Sequence, residues 1–403
     1  LIQTQTEDAA ASGVVFTRDL QRNRPYYLVN YDDNGSTDSV TSGSGGKSLY
    51  ISRDMGVDDL PPMWDCLLRG VREIERVLDG MILDIEFAIT HSGEVVIFQV
   101  RPLAANYRFS KEFDDKAFFD HKRQVKESVR AQGAGMDGEP MLFSDMAFWN
   151  PSEMIGTQPH ELDYALYREI ITKRAWTEGL IPMGYRRVDR ELMVRFSGKP
   201  YISLDYSFEG LIPAALPDEL ARKLVGYYKK KLLADQTAHD KIEFEIVLSC
   251  FDFSTEERIA RMTEEGFYVE ECQALRQALR ELTLNAIKGY FDVLQQDEQA
   301  LDSLNHSRIQ IQRKLRCQEE NYLPSPCQSG QNTRALLGYF TALLDGLKRY
   351  GTPQFSRQAR YAFIARSLCR SLVEGGYVTA ERMDGFMLGV ETVAAEFARD
   401  MER

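Results

Sequence analysis

No stretch of this 403-residue chain reaches the roughly 18 consecutive apolar residues that a membrane-spanning helix needs, and no secretory signal pattern is visible in it. A surplus of positive charge is also missing. Lys and Arg total 49 against 61 Asp and Glu, a formal net charge of −12, and there is no basic low-complexity tail. Such a chain is poorly suited to nucleic acid or to an anionic membrane surface. The six cysteines, Cys66, Cys250, Cys272, Cys317, Cys327 and Cys369, are scattered, with no CxxC or Cys/His spacing that would suggest zinc. Cys317 and Cys327 alone are near one another, flanking a Pro-containing loop, and chance accounts for that. A large acidic chain with stray thiols reads as reduced and cytoplasmic. The five histidines, His91, His121, His160, His239 and His306, form no nucleophile or metal constellation and read as surface or internally satisfied residues.

The composition that remains, 43% hydrophobic, is that of a globular protein long enough for two or three domains. Strand-like runs come first: Ser12–Arg18, Pro25–Tyr31 and Ser48–Arg53. Pro62–Leu78 then reads as an amphipathic helix, with Leu67, Val71, Ile74 and Leu78 at helical spacing. From Tyr107 onward helical patterns dominate. Lys111–Arg130 is a charged connector. Helices are expected over Glu161–Thr177, Pro217–Ala234, Thr255–Glu265, Val269–Gln295, Asn332–Tyr350, Phe355–Glu374 and Thr379–Arg399. A small strand pair is expected within Val188–Tyr206, turning at Ser197-Gly198, and Asn321–Gly330 is the clearest long loop. No internal repeat is present. The fold class is α+β: an antiparallel sheet lobe followed by a mainly α-helical domain.

The stretch Met81–Pro102, MILDIEFAITHSGEVVIFQVRP, carries the most chemical information. It reads as two strands joined by a tight Ser92-Gly93 turn or by a four-residue loop, His91–Glu94. Both connections set Glu86 opposite Gln99. In that register Leu83, Ile85, Phe87 and Ile89 share a core face with Val96, Phe98 and Val100. Asp84, Glu86, Gln99 and Arg101 share the other, together with Ala88, Val95 and Ile97. Directly opposed side chains lie roughly 5 Å apart. Two acids, an amide and an arginine so placed suit a divalent cation, which takes oxygen ligands, and a phosphate, which takes the arginine fork. The same pattern also fits a solvated sheet face with a casual cross-strand pair.

Two other segments have plainer readings. Thr41–Ser48, TSGSGGKS, departs from the phosphate-loop pattern at its first position and leads into a strand where that motif opens a helix. It reads as a flexible loop with the option of lying over a nucleotide. Trp149–Glu153 reads as an Asx-type turn starting a helix, with Trp149 as a packing anchor.

Taken together, SGVVFTRD, the DSVTSG segment at Asp38–Gly43 and the hairpin DIEFAI…GEVVIFQVRP resemble the ATP-binding domain of the phosphoenolpyruvate synthase and pyruvate phosphate dikinase family. The likeness covers about the first quarter of the chain, in the family's order. It implies an ATP-grasp fold, in which two lobes clamp ATP, with residues 1–106 forming the C-terminal lobe of that domain. Residues 107–140 would then be a helical connector and 141–403 a central or substrate domain. Residue by residue, it implies that Glu86 and Gln99 hold magnesium and phosphate, that Arg101 contacts phosphate in catalysis, and that Gln3 lies on the strand lining the adenine pocket. The implied cofactors are ATP and Mg2+.

The family's order also suggests that the chain, opening at Leu1 inside an apparent strand, is a piece of a longer protein. Its partners would be an N-terminal ATP-grasp lobe with a lysine and an arginine, and a mobile domain carrying a phosphohistidine. From Leu142 onward, FSDMAFWNPSEMIGTQP and ARYAFIARSLCRSLVEGG are similar to the middle domain of phosphoenolpyruvate synthase-like proteins rather than to a pyruvate-binding barrel. The expected function is transfer of phosphate from Mg-ATP, through that histidine, to a small acceptor such as pyruvate. The chain alone is expected to be inactive. Two alternatives stand beside it: a small-molecule phosphotransferase of the rifampin phosphotransferase kind, and a non-catalytic nucleotide- or ligand-binding module.

Overall fold

Period-two alternation between Ala9 and Pro102 becomes a five-stranded sheet in the computed structural model, which describes residues 8–33, 47–56, 60–103, 113–320 and 329–390. The strands are β1 (Ala9–Phe16), β2 (Tyr26–Asp32), β3 (Lys47–Ser52), β4 (Leu83–Thr90) and β5 (Val95–Pro102), and helix α1 (Pro62–Val77) lies between β3 and β4. Their order is β3-β2-β1-β4-β5, antiparallel throughout. One face of the sheet buries Val15, Val29, Ile51, Leu83, Ile85 and Phe87 against Trp64, Leu67, Leu68 and Val71 of α1. Each fully buried side chain of this kind contributes roughly 1.5–3 kcal/mol. Pro62 opens the helix, where its missing N–H costs nothing. Asp79 and Gly80, both with positive φ, end it, and the Gly80 amide donates back to the Glu75 carbonyl at 2.8 Å. Glu75 itself is buried and tied to the sheet, accepting from the Tyr27 hydroxyl and from Arg53, each at 2.7 Å.

At Gly13 the neighbouring strand comes very close. A Cβ there would meet the Asn30 carbonyl oxygen at 2.0 Å, so β1 and β2 pair at this spacing only with glycine.

The β4–β5 hairpin departs from its expected form in a way that leaves one pair untouched. The loop has three residues, His91-Ser92-Gly93, closed by Thr90 and Glu94, with Gly93 at φ +84°. An odd loop shifts the register by one relative to a two- or four-residue loop, so Ile89 pairs with Val95 and Phe87 with Ile97. A bulge then takes up Phe98, and Glu86 pairs with Gln99 as the sequence implied. The core face is corrected accordingly. Val95, Ile97 and Val100, not Val96 and Phe98, pack towards Leu83, Ile85, Phe87 and Ile89. The run Val95–Phe98 is apolar at every position, so its pattern cannot choose between the two registers.

The chain divides into two units, Leu1–Lys126 and Glu127–Arg403, and the division falls within helix α2 (Asp115–Arg130). The start of α2 is fastened to the sheet unit: Arg18 forks onto Asp115, and Lys122 reaches Ser52 and Asp54.

The second unit opens with strand β6 (Phe143–Ser144) and helices α3 (Pro151–Ile155), α4 (Glu161–Tyr167) and α5 (Ala175–Leu180). Next come β7 (Met193–Phe196), β8 (Lys199–Ser203), α6 (Leu204–Glu209), α7 (Asp218–Ala234) and α8 (Thr255–Met262). It ends with α9 (Val269–Glu320), α10 (Ser329–Tyr350), α11 (Thr352–Glu374) and α12 (Ala380–Gly389). β7 and β8 join through Ser197-Gly198, both at positive φ as a two-residue hairpin turn requires, and β6 adds to give the order β6-β8-β7.

Helix α4 runs into a π turn over Arg168–Thr172, which breaks the single helix expected over Glu161–Thr177. α9 is far longer than expected. Its 52 residues span roughly 78 Å at 1.5 Å per residue, because residues 296–320 contain neither Gly nor Pro and are rich in good helix formers. Asn150 caps α3, accepting from the Ser152 amide at 2.9 Å, with Pro151 at the first position and Trp149 packed on Trp176. The Gly-rich segment up to Gly46, the loop at 321–328 and the chain beyond Val390 lie outside the described residues. Cys66, Cys250, Cys272 and Cys369 are free thiols. Among the described residues no helix is long and apolar enough to cross a membrane.

Candidate functional site

The sheet face opposite α1 is built by three strand registers acting together. Ser48 pairs with Asn30, Asn30 with Val14, Val14 with Glu86 and Glu86 with Gln99. These five residues form one row across the whole sheet. One step along, Tyr50, Leu28, Phe16, Asp84 and Arg101 form a second row. Residues of adjacent rows at i and i+2 share a face, so an apolar centre of Val14, Phe16 and Leu28 adjoins a charged end of Asp84, Glu86, Gln99 and Arg101.

At that end Arg101 Nη2 donates to Glu86 Oε1 at 2.5 Å, and its Nε lies 3.8 Å from Asp84 Oδ2. The arginine is half exposed, and the two acids keep about a quarter of their surface. An ion pair this wet contributes at most about 1 kcal/mol. Arg101 can therefore leave Glu86 at little cost. Gln99 is exposed on the edge strand. Oδ1 of Asp84 is buried without a hydrogen-bond partner, although buried polar atoms are nearly always satisfied.

The donor set fits the cation that the family resemblance implies. Glu86 and Gln99 offer a carboxylate and an amide oxygen, the hard ligands that magnesium takes, and Asp84 Oδ1 is an oxygen left wanting a partner. Among the described residues no group of three His, Cys, Asp or Glu could hold a metal ion by itself. This set therefore suits an ion that keeps water and phosphate oxygens in its shell.

The sequence-derived residues Glu86, Gln99 and Arg101 are thus brought together, while Gln3 lies outside the described residues. Asn30 and Ser48 were missed. Their signal was present in PYYLVNY, where Tyr26, Leu28 and Asn30 alternate with the core-facing Tyr27 and Val29. Ser48 Oγ donates to Asn30 Oδ1 at 2.8 Å, extending the polar row to the far edge. A scan against models of protein families finds no match to this chain.

Proposed function

We propose that the first unit is one lobe of an ATP-grasp clamp that binds Mg-ATP, and that the chain acts within a phosphoenolpyruvate synthase-like dikinase. The observation that carries this reading is the sheet face on which an apolar centre adjoins Glu86, Gln99 and Arg101, with an unsatisfied Asp84 oxygen beside them. A nucleotide has the matching asymmetry, an apolar base at one end and a polyphosphate with its cation at the other.

Glu86 and Gln99 would hold the magnesium, which when bound neutralises phosphate charge and orients the terminal phosphate. Arg101 has a definite task in this scheme. Without nucleotide its guanidinium neutralises Glu86. With nucleotide it turns from the carboxylate to a phosphate oxygen, where a planar fork binds two oxygens at once. Phosphoryl transfer is catalysed mainly by such positioning and charge neutralisation. The second lobe and the phosphohistidine carrier are proposed as partners by the same resemblance, with a small acceptor served by the helical unit.

Two measurements test this. In the full-length protein, Glu86→Ala should remove nearly all ATP turnover; turnover near the wild-type rate would overturn the assignment. In this chain alone, Mg-ATP should bind weakly, with Kd about 1 mM or above. The amide shifts it causes should fall on Val14, Asn30, Glu86, Gln99 and Arg101. Shifts confined to other strands would point to a different site.

A further inference from the structure

A cleft of about 430 Å3 in the second unit lies between the end of β6, the start of β8 and the C-terminal end of α7. Its apolar lining includes the buried Leu204 and Leu232 and the half-buried Tyr201. Its polar lining comes from Ser144, Asp145, Lys199, Gln236 and His239. Asp145 is an acceptor and Lys199 a donor, with Lys199 Nζ 3.0 Å from Asp145 Oδ2. Lys199 also lies 5.2 Å from the Tyr201 ring centroid. His239 Nδ1 is 3.1 Å from the Gln236 carbonyl oxygen, which makes Nδ1 the donor and leaves Nε2 of the neutral ring as an acceptor. The Lys199 bond holds the Asp145 carboxyl below its usual range, so it stays an acceptor at neutral pH.

These features define a ligand. The Asp145 and Lys199 charges cancel, so the cleft favours a neutral molecule. A carboxylate and an ammonium in contact present an acceptor and a donor at the spacing of neighbouring hydroxyls on a ring. One hydroxyl donates to Asp145 while the next accepts from Lys199. An apolar lining that includes an aromatic side chain suits the C–H face of the same ring. The volume is that of roughly fourteen waters, at the small end of organic-ligand sites. A three-carbon acid would leave most of it to water.

We propose that this cleft binds a neutral cyclic polyol, through a vicinal diol held by Asp145 and Lys199 and a ring face laid on Tyr201. The proposal does not depend on the nucleotide reading of the first unit.

Saturation-transfer NMR on the whole chain tests it, using phenyl glucoside, galactoside and mannoside as probes and 2-phenoxytetrahydropyran as the control that lacks every hydroxyl. At least one glycoside should bind and the control should not. Asp145→Asn and Lys199→Met should each weaken binding by about tenfold or more, because Asn leaves only a neutral acceptor and Met leaves no donor. Both side chains are partly exposed, so both variants should fold. Lys230→Met, at an exposed site on α7, should bind as wild type. Absence of transfer from all three glycosides at about 10 mM would overturn the proposal. So would equal binding by the control, or wild-type affinity in both cleft variants.

Discussion

The Arg101 cluster of the sheet unit and the Lys229 and Arg360 clusters of the helical unit pair basic side chains with carboxylates in opposite solvation. In the sheet unit, Arg101 meets Glu86 and Asp84 with half its side chain in water. In the helical unit, Lys229 is almost fully buried and lies 2.9 Å from both Asp137 and Asp205. Arg360, also buried, holds Glu243 at 2.9 Å and Ser249 Oγ at 3.1 Å. Burial converts the same chemistry from something a ligand can borrow into something the fold depends on. Removing one member of a buried pair strands the other charge, whereas an exposed partner is simply hydrated. Charge pairs alone therefore do not mark a functional site, but only a pair that is cheap to separate leaves its members free for a ligand.

The largest expected effect follows from that contrast. Arg360→Met should destabilise the helical unit by about 3–5 kcal/mol, read from the unfolding fluorescence of Trp149 and Trp176, whose rings are in contact. Adding Glu243→Leu should recover much of the loss. A cost no greater than that of Arg101→Met would break the comparison. In the sheet unit, Gly13→Ala should cost about 1–3 kcal/mol by pushing a methyl into the Asn30 carbonyl. Hydrogen exchange across β1 and β2 would register it.

A pH series sharpens the distinction further. Burial raises the Glu243 carboxyl from 4.5 to about 7, against the opposing pull of Arg360. A carboxyl whose folded pKa is raised binds its proton more tightly in the native state. Its contribution is therefore complete below about pH 4.5 and is lost as the pH rises towards 7. The stability of wild type relative to Glu243→Gln should fall across that window, and a rise would refute the assignment. The smallest effect belongs to the exposed pair. Arg101→Met should change stability by less than about 1 kcal/mol, yet it should weaken Mg-ATP binding by this chain measurably in the same NMR titration.

How far these sites could be read from the sequence depended on how local their determinants were. Glu86, Gln99 and Arg101 lie within one hairpin, so alternation alone brought them together. Asn30 and Ser48 needed the strand order β3-β2-β1-β4, which the order of the strands along the chain does not dictate. The cleft residues Asp145, Lys199 and His239 come from three separate elements of the helical unit. No spacing rule joins them. Among the helices, α7 was legible because Pro217 and an apolar stripe bound it, while the length of α9 was not, since residues 296–316 carry helix propensity with little buried surface to announce it.

The compensated hairpin has a last consequence, for insertions and deletions. Phe98 is the one residue by which β5 exceeds what its partner requires, and it offsets the odd loop. Deleting Phe98 would leave Ile97 opposite Phe87 and bring Gln99 directly into step opposite Glu86, giving a regular hairpin with the same four polar residues at its end. Deleting one loop residue instead would leave Thr90 opposite Glu94, with the bulge at Phe98 still setting Gln99 opposite Glu86. Relatives of this chain that are one residue shorter here would keep the polar cluster together, so a gap at this hairpin would be no evidence that Glu86, Gln99 and Arg101 have been separated.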